Sequence, residues 1–321
     1  MHYIPLYDFT FLSSPQKLWE EFTVNQRLLD FLFNSACSEQ PSSIPQPRII
    51  IGAEGSGKTW LLYALKYRLE ESASAFEPVF FSGYSNDVLE RLHDLLTNPT
   101  TTGKRKIILI DDIEFLFDSM SEDGLYKLRG ILNKNGAPLL IGSSRTVPAA
   151  LTDYSSAFFD GFAIHNIPAI SLEQAIALAD CKSEKQKERA ERLLRISGTN
   201  IRSIALVRNI LNITSSVTTD EQVLFDYLYP QTNLFISALP RLSQQIIKVI
   251  GGANKDLALS EIAEIIGIEA NRLSPYISKL VTNQILSKNG SGKRNARYGL
   301  VDKSLKFIVR HSKCTPFNHI L

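Results

Sequence analysis

RIIIGAEGSGKTWLL, residues 48–62, sets GxxxxGK(S/T) directly after an apolar strand and directly before a helical pattern. Gly52, Gly55 and Gly57 free the backbone to curl its N–H groups around phosphate oxygens at a helix N-terminus, where the helix dipole also favours negative charge. Lys58 is then placed to reach the β- and γ-phosphates, and the Thr59 hydroxyl to ligate Mg²⁺. Residues 52–60 (Gly52, Ala53, Glu54, Gly55, Ser56, Gly57, Lys58, Thr59 and Trp60) are therefore the expected contacts of ATP or GTP. A plain Gly-rich turn with a chance Lys-Thr would not need the strand before it and the helix after it.

An acidic partner follows about 50 residues on. Residues 106–117 read KIILIDDIEFLF, an apolar run ending in two carboxylates, which is how a buried parallel strand presents an Asp at its C-terminal edge. Asp111 is expected to hold the Mg²⁺ hydration shell, on a strand neighbouring the phosphate loop. Asp112 is placed to orient or deprotonate the attacking water, with Glu114 competing for that role.

Outward from these two motifs, strand and helix patterns alternate: strands at 49–51, 79–82, 107–110, 139–141 and 162–167, with helices from Lys58 and near 87–96 and 125–133. That alternation predicts a doubly wound α/β domain with a parallel sheet. Before it, residues 25–36 form an amphipathic segment with Leu28, Leu29, Phe31, Leu32 and Phe33 on a broad apolar face. SEQPSSIPQP (38–47), with three prolines and three serines, reads as a flexible link. Beyond Ser171 the strand signals stop and helical periodicity takes over, as in a small helical lid, with connecting helices over 218–238.

At 321 residues with 44% hydrophobic content, the chain has material for two or three domains. The net charge of +2 hides an asymmetry: residues 1–239 carry 22 Lys/Arg against 28 Asp/Glu, whereas 240–321 carry 13 against 5. The basic C-terminal quarter points to a polyanionic partner. Cys37, Cys181 and Cys314 lie far apart with no CxxC pair, and the five histidines are scattered, so no disulfide framework, zinc site or catalytic triad is indicated. No apolar run approaches the ~18 residues of a membrane span, and residues 1–20 lack a signal-peptide pattern. A cytoplasmic protein without membrane contact is expected.

The layout and the two motifs together resemble the AAA+ and STAND branches of P-loop NTPases. EEFTVNQRLLDFL (20–32) is similar to the N-terminal box that packs near adenine in those families. LIDDIEFL (109–116) looks like the Walker B segment of DnaA-type and Orc-type initiators. LLIGSSRTVP (139–148) resembles the strand-ending segment of prokaryotic, archaeal-type STAND ATPases, which implies that Ser143 and Ser144 stand at the sensor 1 position. ISGTNIRSIALV (196–207) resembles the lid segment carrying sensor 2, which implies that Arg202 reports the γ-phosphate to the lid. The resemblance implies ATP with Mg²⁺ as ligand, and ADP as product. One departure bears on mechanism: DYSSAFFDGFAI (153–164) has Ala157 or Phe158 where initiator-type relatives carry an arginine finger, and Arg145 is the nearest substitute. A slow nucleotide switch of the STAND kind needs no such finger.

Residues 242–251, 260–266 and 270–283 form a three-helix pattern with Ile262, Ala263, Ile266, Leu273, Ile277 and Leu280 facing one core and Ser260 as cap. A strand at 285–288, the turn NGSGKRNA and the strand RYGLV follow as a hairpin wing. This predicts a winged helix, and its ending RYGLVDKSLKFIVR is similar to the C-terminal segment of archaeal-type STAND ATPases. If it binds double-stranded DNA, the helix over 270–283 would present Asn271, Arg272, Ser274, Tyr276, Ser278 and Lys279, while Lys288, Lys293, Arg294 and Arg297 neutralise phosphates. The expected organisation is a nucleotide-binding core over 1–170, a lid with connecting helices over 171–238, and a winged helix over 239–321. Function is then an ATP-dependent switch coupled to DNA. The rivals are an origin- or transposon-type AAA+ initiator assembling on DNA, and a nucleotide-holding scaffold whose winged helix binds a protein partner or a second copy of the chain.

Overall fold

The structure, a computed structural model, describes residues 14, 24–40, 42–72, 75–97, 104–214, 216–290 and 295–312 of the chain. These divide into two compact units, Met1–Ala169 and Ile170–Leu321.

The first unit is built on five parallel strands, β1 (Arg48–Ile51), β2 (Phe76–Ser82), β3 (Arg105–Asp111), β4 (Leu139–Ser144) and β5 (Ala163–Asn166), in the order β2-β3-β4-β1-β5. Every residue of β1, β3 and β4 is buried, as expected of strands covered on both faces. Alternation assigns the two faces. Ile49, Ile51, Ile108, Ile110 and Leu140 pack with α3 (Val88–Thr97), α4 (Ile113–Ser119) and α5 (Glu122–Leu132). Ile50, Ile107, Leu109, Leu139 and Ile141 pack with α1 (Gln26–Ser38) and α2 (Lys58–Ser72). Each such side chain contributes about 1.5–3 kcal/mol on burial, so the sheet fixes the site at its C-terminal edge firmly.

Three expectations are corrected here. The strands carrying the phosphate loop and the acidic pair are not neighbours: β4 runs between β1 and β3. The apolar face of α1 is narrower than its sequence suggests, with Leu29, Leu32 and Ala36 buried but Phe31 half exposed. The segment before β1 is tied down, because the buried Arg105 guanidinium donates to the Gln40, Ser43 and Ala137 carbonyls and Arg48 pairs with Glu39. Prolines break regular structure there, yet side-chain donors replace the missing ladder.

The second unit begins with α7 (Leu172–Leu178), α8 (Glu184–Ser197), α9 (Ile201–Ile213) and α10 (Val217–Ser237), after the single-turn α6 (Ala149–Thr152) of the first. Ser171, Ser183, Asn200 and Ser216 cap their helices by accepting backbone N–H groups, which explains where each one starts. The connecting segment is one helix, α10, in which Pro230 forfeits a ladder bond without ending it. Arg189 of α8 donates through two nitrogens to Asp220 of α10 at 2.7 and 2.6 Å, and to the Thr214 carbonyl at 3.0 Å. Both ions are buried, so this bidentate pair locks α8 to the α9–α10 junction.

The remaining elements are α11 (Arg241–Gly252), β6 (Leu257–Ala258), α12 (Leu259–Ile266), α13 (Ala270–Thr282), β7 (Leu286–Asn289), β8 (Arg297–Leu300) and α14 (Lys303–His311). The three strands form an antiparallel sheet, β6-β8-β7, and a core of Ile246, Ile247, Ile262, Leu273, Ile277, Leu280 and Leu305 joins helices to sheet. Ser260 is not the cap of α12. That helix starts one residue earlier, and the Glu261 carboxylate accepts the Ala258 amide at 2.6 Å. The unit takes in both segments read from the sequence, 171–238 and 239–321, because α14 packs back on α8 and α10 as well as on α11. Among the described residues no helix is long and apolar enough to cross a membrane.

Candidate nucleotide site

The loop between β1 and α2 has the backbone its sequence demands. Gly55 and Gly57 adopt φ of 76° and 93°, which residues with a Cβ rarely do. A Cβ on Gly52 would sit 2.5 Å from Ser56 Oγ and 3.3 Å from Ile167, so the curl leaves no room for one. Lys58 is 8% exposed and its Nζ donates to the Gly52 and Ala53 carbonyls at 2.9 and 3.3 Å. Burial pushes its ammonium below the ordinary Lys range, against the opposing pull of Asp112, Asp111 and Glu114. One cation among three carboxylates leaves the site net negative, so an anionic phosphate chain would call for a divalent cation beside it. Trp60 departs from expectation: its ring is buried in the core with Leu32, Leu61 and Leu65, so only its backbone remains for a ligand.

The strand inserted between β1 and β3 supplies the link between loop and acids. Thr59 Oγ1 donates to Asp111 Oδ2 at 2.6 Å, and the Ser143 hydroxyl of β4 donates to Asp111 Oδ1 while accepting the Asp112 amide at 3.1 Å. Ser143 therefore touches both acids. Ser144, expected beside it at the sensor 1 position, turns the other way and donates to the Thr146 carbonyl at 2.6 Å.

Asp112 sits in the left-handed region, φ 52° and ψ 52°, just ahead of α4. Burial, then Asp111 and Glu114, push its carboxyl up from 3.8 to about 6, and Lys58 and Arg145 only partly offset this. A carboxylate poised near neutrality is the profile of a general base. Glu114 Oε1 accepts the Arg145 amide at 3.3 Å, whereas its Oε2 and the Ser56 hydroxyl are buried with no hydrogen-bond partner among the described residues.

Two contributors escaped the sequence reading. Gly83 follows β2, and a Cβ there would collide with the Asp112 carbonyl, so the chain passes directly beside the acidic turn. Tyr84 packs its ring on Phe115, tilted by 32° with centroids 3.7 Å apart, and its hydroxyl accepts from Arg145 Nη2 at 3.2 Å. The only advance signal was a glycine at a strand end, which marks turns generally.

The residues expected farther along lie in the second unit. Arg202 is half-buried in the first turn of α9, where burial disfavours its charge while Asp302 and Tyr227 favour it. Arg272, Ser274 and Lys279 are exposed on α13 and Lys288 is exposed on β7, but Tyr276 packs partly against the core. Arg297 is committed within the unit, donating to the Asp256 carbonyl at 3.0 Å and to Glu261 at 3.2 Å. Lys293, Arg294 and residues 20–23 of the N-terminal box lie outside the described residues. Among the described residues, no cluster of three or more His, Cys, Asp or Glu could hold a metal ion.

No protein-family model matches the chain. It is 25% identical over 299 residues to the chromosomal replication initiator protein DnaA of Campylobacter curvus, an alignment taking in 84% of this chain and 66% of that protein. The chain spans less than two thirds of the length of the curated relatives it matches. Among solved structures it is similar to a Walker-type ATPase of Pyrococcus abyssi, with TM-score 0.63 and 10% identity over 91% of this chain and 97% of that one. It is also similar to the Orc1 protein of Aeropyrum pernix in complex with DNA, with TM-score 0.53 and 16% identity over 94% and 96%. The first unit thus has the P-loop α/β fold of AAA+ proteins.

Proposed function

We propose that the chain binds ATP in the loop of residues 52–59, hydrolyses it slowly, and uses the nucleotide state as a STAND-like switch on a DNA-binding winged helix. The observation that carries this reading is the convergence of Thr59, Asp111, Asp112 and Ser143 at one edge of the sheet, joined by direct hydrogen bonds, with the buried Lys58 next to Thr59 on the loop. The left-handed glycines and the buried Ser56 hydroxyl, which has no partner among the described residues, fit a phosphate chain, which would exchange the Gly52 and Ala53 carbonyls for its own oxygens as partners of Lys58.

Thr59 and Asp111 are the residues that would hold Mg²⁺, two hard oxygen donors in contact, with nucleotide and water completing the shell. Bound there, the ion would neutralise charge on the β- and γ-phosphates. Asp112 would take up the proton of the attacking water, and Ser143 would keep both acids in register. Glu114 anchors the Arg145 backbone, which leaves Asp112 as the preferred base.

The helix pair α12–α13, the hairpin β7–β8 and the exposed Arg272, Lys279 and Lys288 support the winged-helix reading, as does the basic charge of residues 240–321. The likeness to DnaA over 84% of the chain favours a second reading, an AAA+ initiator that assembles on DNA. The test is to measure ATP binding and phosphate release with the wild-type chain and Lys58→Ala. Magnesium-dependent turnover lost in a folded variant supports the proposal; wild-type affinity in Lys58→Ala contradicts it.

A further inference from the structure

At the end of the sheet away from the phosphate loop, two buried cations share one anion. Arg48 opens β1 and Arg105 opens β3; they are 4% and 5% exposed, and both pair with Glu39, the residue after α1. Arg105 directs its three nitrogens at the Ala137, Gln40 and Ser43 carbonyls, with Glu39 Oε2 3.7 Å from its Nη1. Arg48 gives Nη2 to Ser35 Oγ at 2.8 Å and to Glu39 Oε1. Its Nη1 is buried with no hydrogen-bond partner among the described residues. The cluster therefore carries one surplus positive charge, on a guanidinium whose other donor edge is unused.

A second buried donor lies under the same stretch of helix. In the β1–β5 register Arg48 stands opposite Ala163 and Ile50 opposite His165, so Arg48, Ile50 and His165 emerge on one face of the sheet, the face that α1 covers. Arg48 touches Ser35 of α1, and the His165 ring lies 5.2 Å from that of Phe31, one helical turn before Ser35. His165 Nε2, like Arg48 Nη1, is buried with no hydrogen-bond partner among the described residues. Burial, then the charge of Arg48, holds its imidazole below the ordinary His range, so the ring is neutral at pH 7 and can present Nε2–H as a donor. Buried donors without an acceptor are rare in folded proteins, and two beneath one turn of helix point to a shared one. A water could meet both, but it would leave the surplus charge in place; a monovalent anion meets both and balances it.

We infer that Arg48 Nη1 and His165 Nε2 form a binding site for a small monovalent anion of the chloride type, which ties the β1–β5 edge of the sheet to α1. Two donors on opposite side chains suit a single spherical acceptor. A phosphate or sulfate would bring more oxygens than the site has donors and more charge than the one cation in surplus. The site is separate from the nucleotide loop, which follows the other end of β1, and does not depend on the ATPase reading.

The experiment melts the intact chain at constant ionic strength while sodium chloride or sodium bromide replaces sodium gluconate. The wild-type Tm should rise saturably with either halide, by about 2–4 °C at ten times the half-saturating concentration. His165→Phe keeps a ring against Phe31 and removes the donor, so half-saturation should move about 10- to 100-fold higher. Arg48→Met removes the surplus cation and leaves Arg105 and Glu39 as a balanced pair, so the halide response should vanish. Lys58→Ala should keep the response, which separates this site from anions entering the phosphate loop. Crystals grown in bromide should show an anomalous peak in contact with Arg48 Nη1 and His165 Nε2. A Tm indifferent to halide, a response retained in Arg48→Met or lost in Lys58→Ala, or a water without anomalous signal between the two nitrogens overturns the inference. If Arg48→Met does not fold, the half-saturation of His165→Phe and the bromide peak decide.

Discussion

Thr59 Oγ1 donates to Asp111 Oδ2 across 2.6 Å, so the phosphate loop and the end of β3 meet directly although β4 lies between their strands. Ser143 of β4 donates to the other oxygen of Asp111. A magnesium ion arriving at this pair would find both ligands already oriented. Thr59→Val keeps the shape and removes the hydroxyl. It should leave the fold and metal-free nucleotide binding unchanged and abolish the stimulation by Mg²⁺, whereas Lys58→Ala should weaken binding about 10- to 100-fold with or without the ion. Titration of a fluorescent ATP analogue with Mg²⁺ or with a chelator separates the two.

Asp112 gives a pH dependence with a definite sign. Its carboxyl is raised from 3.8 to about 6 in the folded chain, so near pH 5 the fold keeps a proton that the unfolded chain has lost. Ionising it in the fold is unfavourable, and this destabilisation is absent below about pH 4, grows between about pH 4 and 6 and is constant above. Asp112→Asn should therefore melt higher than wild type at neutral pH and no higher at about pH 4, while having no turnover. In the wild type kcat/KM should fall tenfold per unit below about pH 6. Glu114→Gln removes a negative neighbour and should move that limb to lower pH. A limb that stays in place in Glu114→Gln would separate Asp112 from the acid-sensitive step.

The Arg189–Asp220 pair in the second unit calls for a different test. Both side chains are buried, and Arg189 is held above its ordinary range by the hydrogen bonds to Asp220. Removing one partner strands the other's charge, so Asp220→Ala should cost about 3–5 kcal/mol, far more than an exposed pair such as Arg195–Glu191, whose loss should cost at most about 1 kcal/mol. Thermal and denaturant unfolding of the two variants side by side measures the contrast.

Exposure ranks the basic residues of the C-terminal elements as proposed DNA contacts. Lys279 and Lys288 are exposed and make no ion pair among those described, while Arg297 is engaged by Glu261 and the Asp256 carbonyl. Each phosphate contact lowers the slope of log affinity against log salt by about 0.9. Lys279→Ala and Lys288→Ala should each flatten the slope by about that amount, whereas Arg297→Ala should chiefly lower stability. Duplex titrations at several salt concentrations, run beside melting curves, check both parts.

What could be read in advance follows from the range of the interactions involved. The glycines, lysine and threonine of residues 52–59 act through local backbone geometry, and the apolar runs of β1, β3 and β4 reflect burial on both faces, so these were legible. The order of the strands was not, because nothing local in β4 says that it inserts between β1 and β3. For the same reason Ser143 and Ser144 could not be told apart: only the register, with Ser143 opposite Ile50 and Ser144 opposite Ile51, decides which hydroxyl meets Asp111. Tyr84 and Arg145 are 61 positions apart and carried no joint signal. The fate of Arg297 likewise depends on Glu261, on another element of the same unit.

The central claim is that nucleotide state governs DNA binding. Its most direct test is the affinity of the intact chain for duplex DNA, measured at one salt concentration without nucleotide, with ADP, and with a non-hydrolysable ATP analogue plus Mg²⁺. The account predicts that the ADP and ATP-analogue states differ by at least about 5-fold, the lower bound of ordinary allosteric coupling, and that Lys58→Ala behaves like the nucleotide-free protein in all three conditions. Equal affinity in every state, with nucleotide binding verified in the same samples, would contradict it.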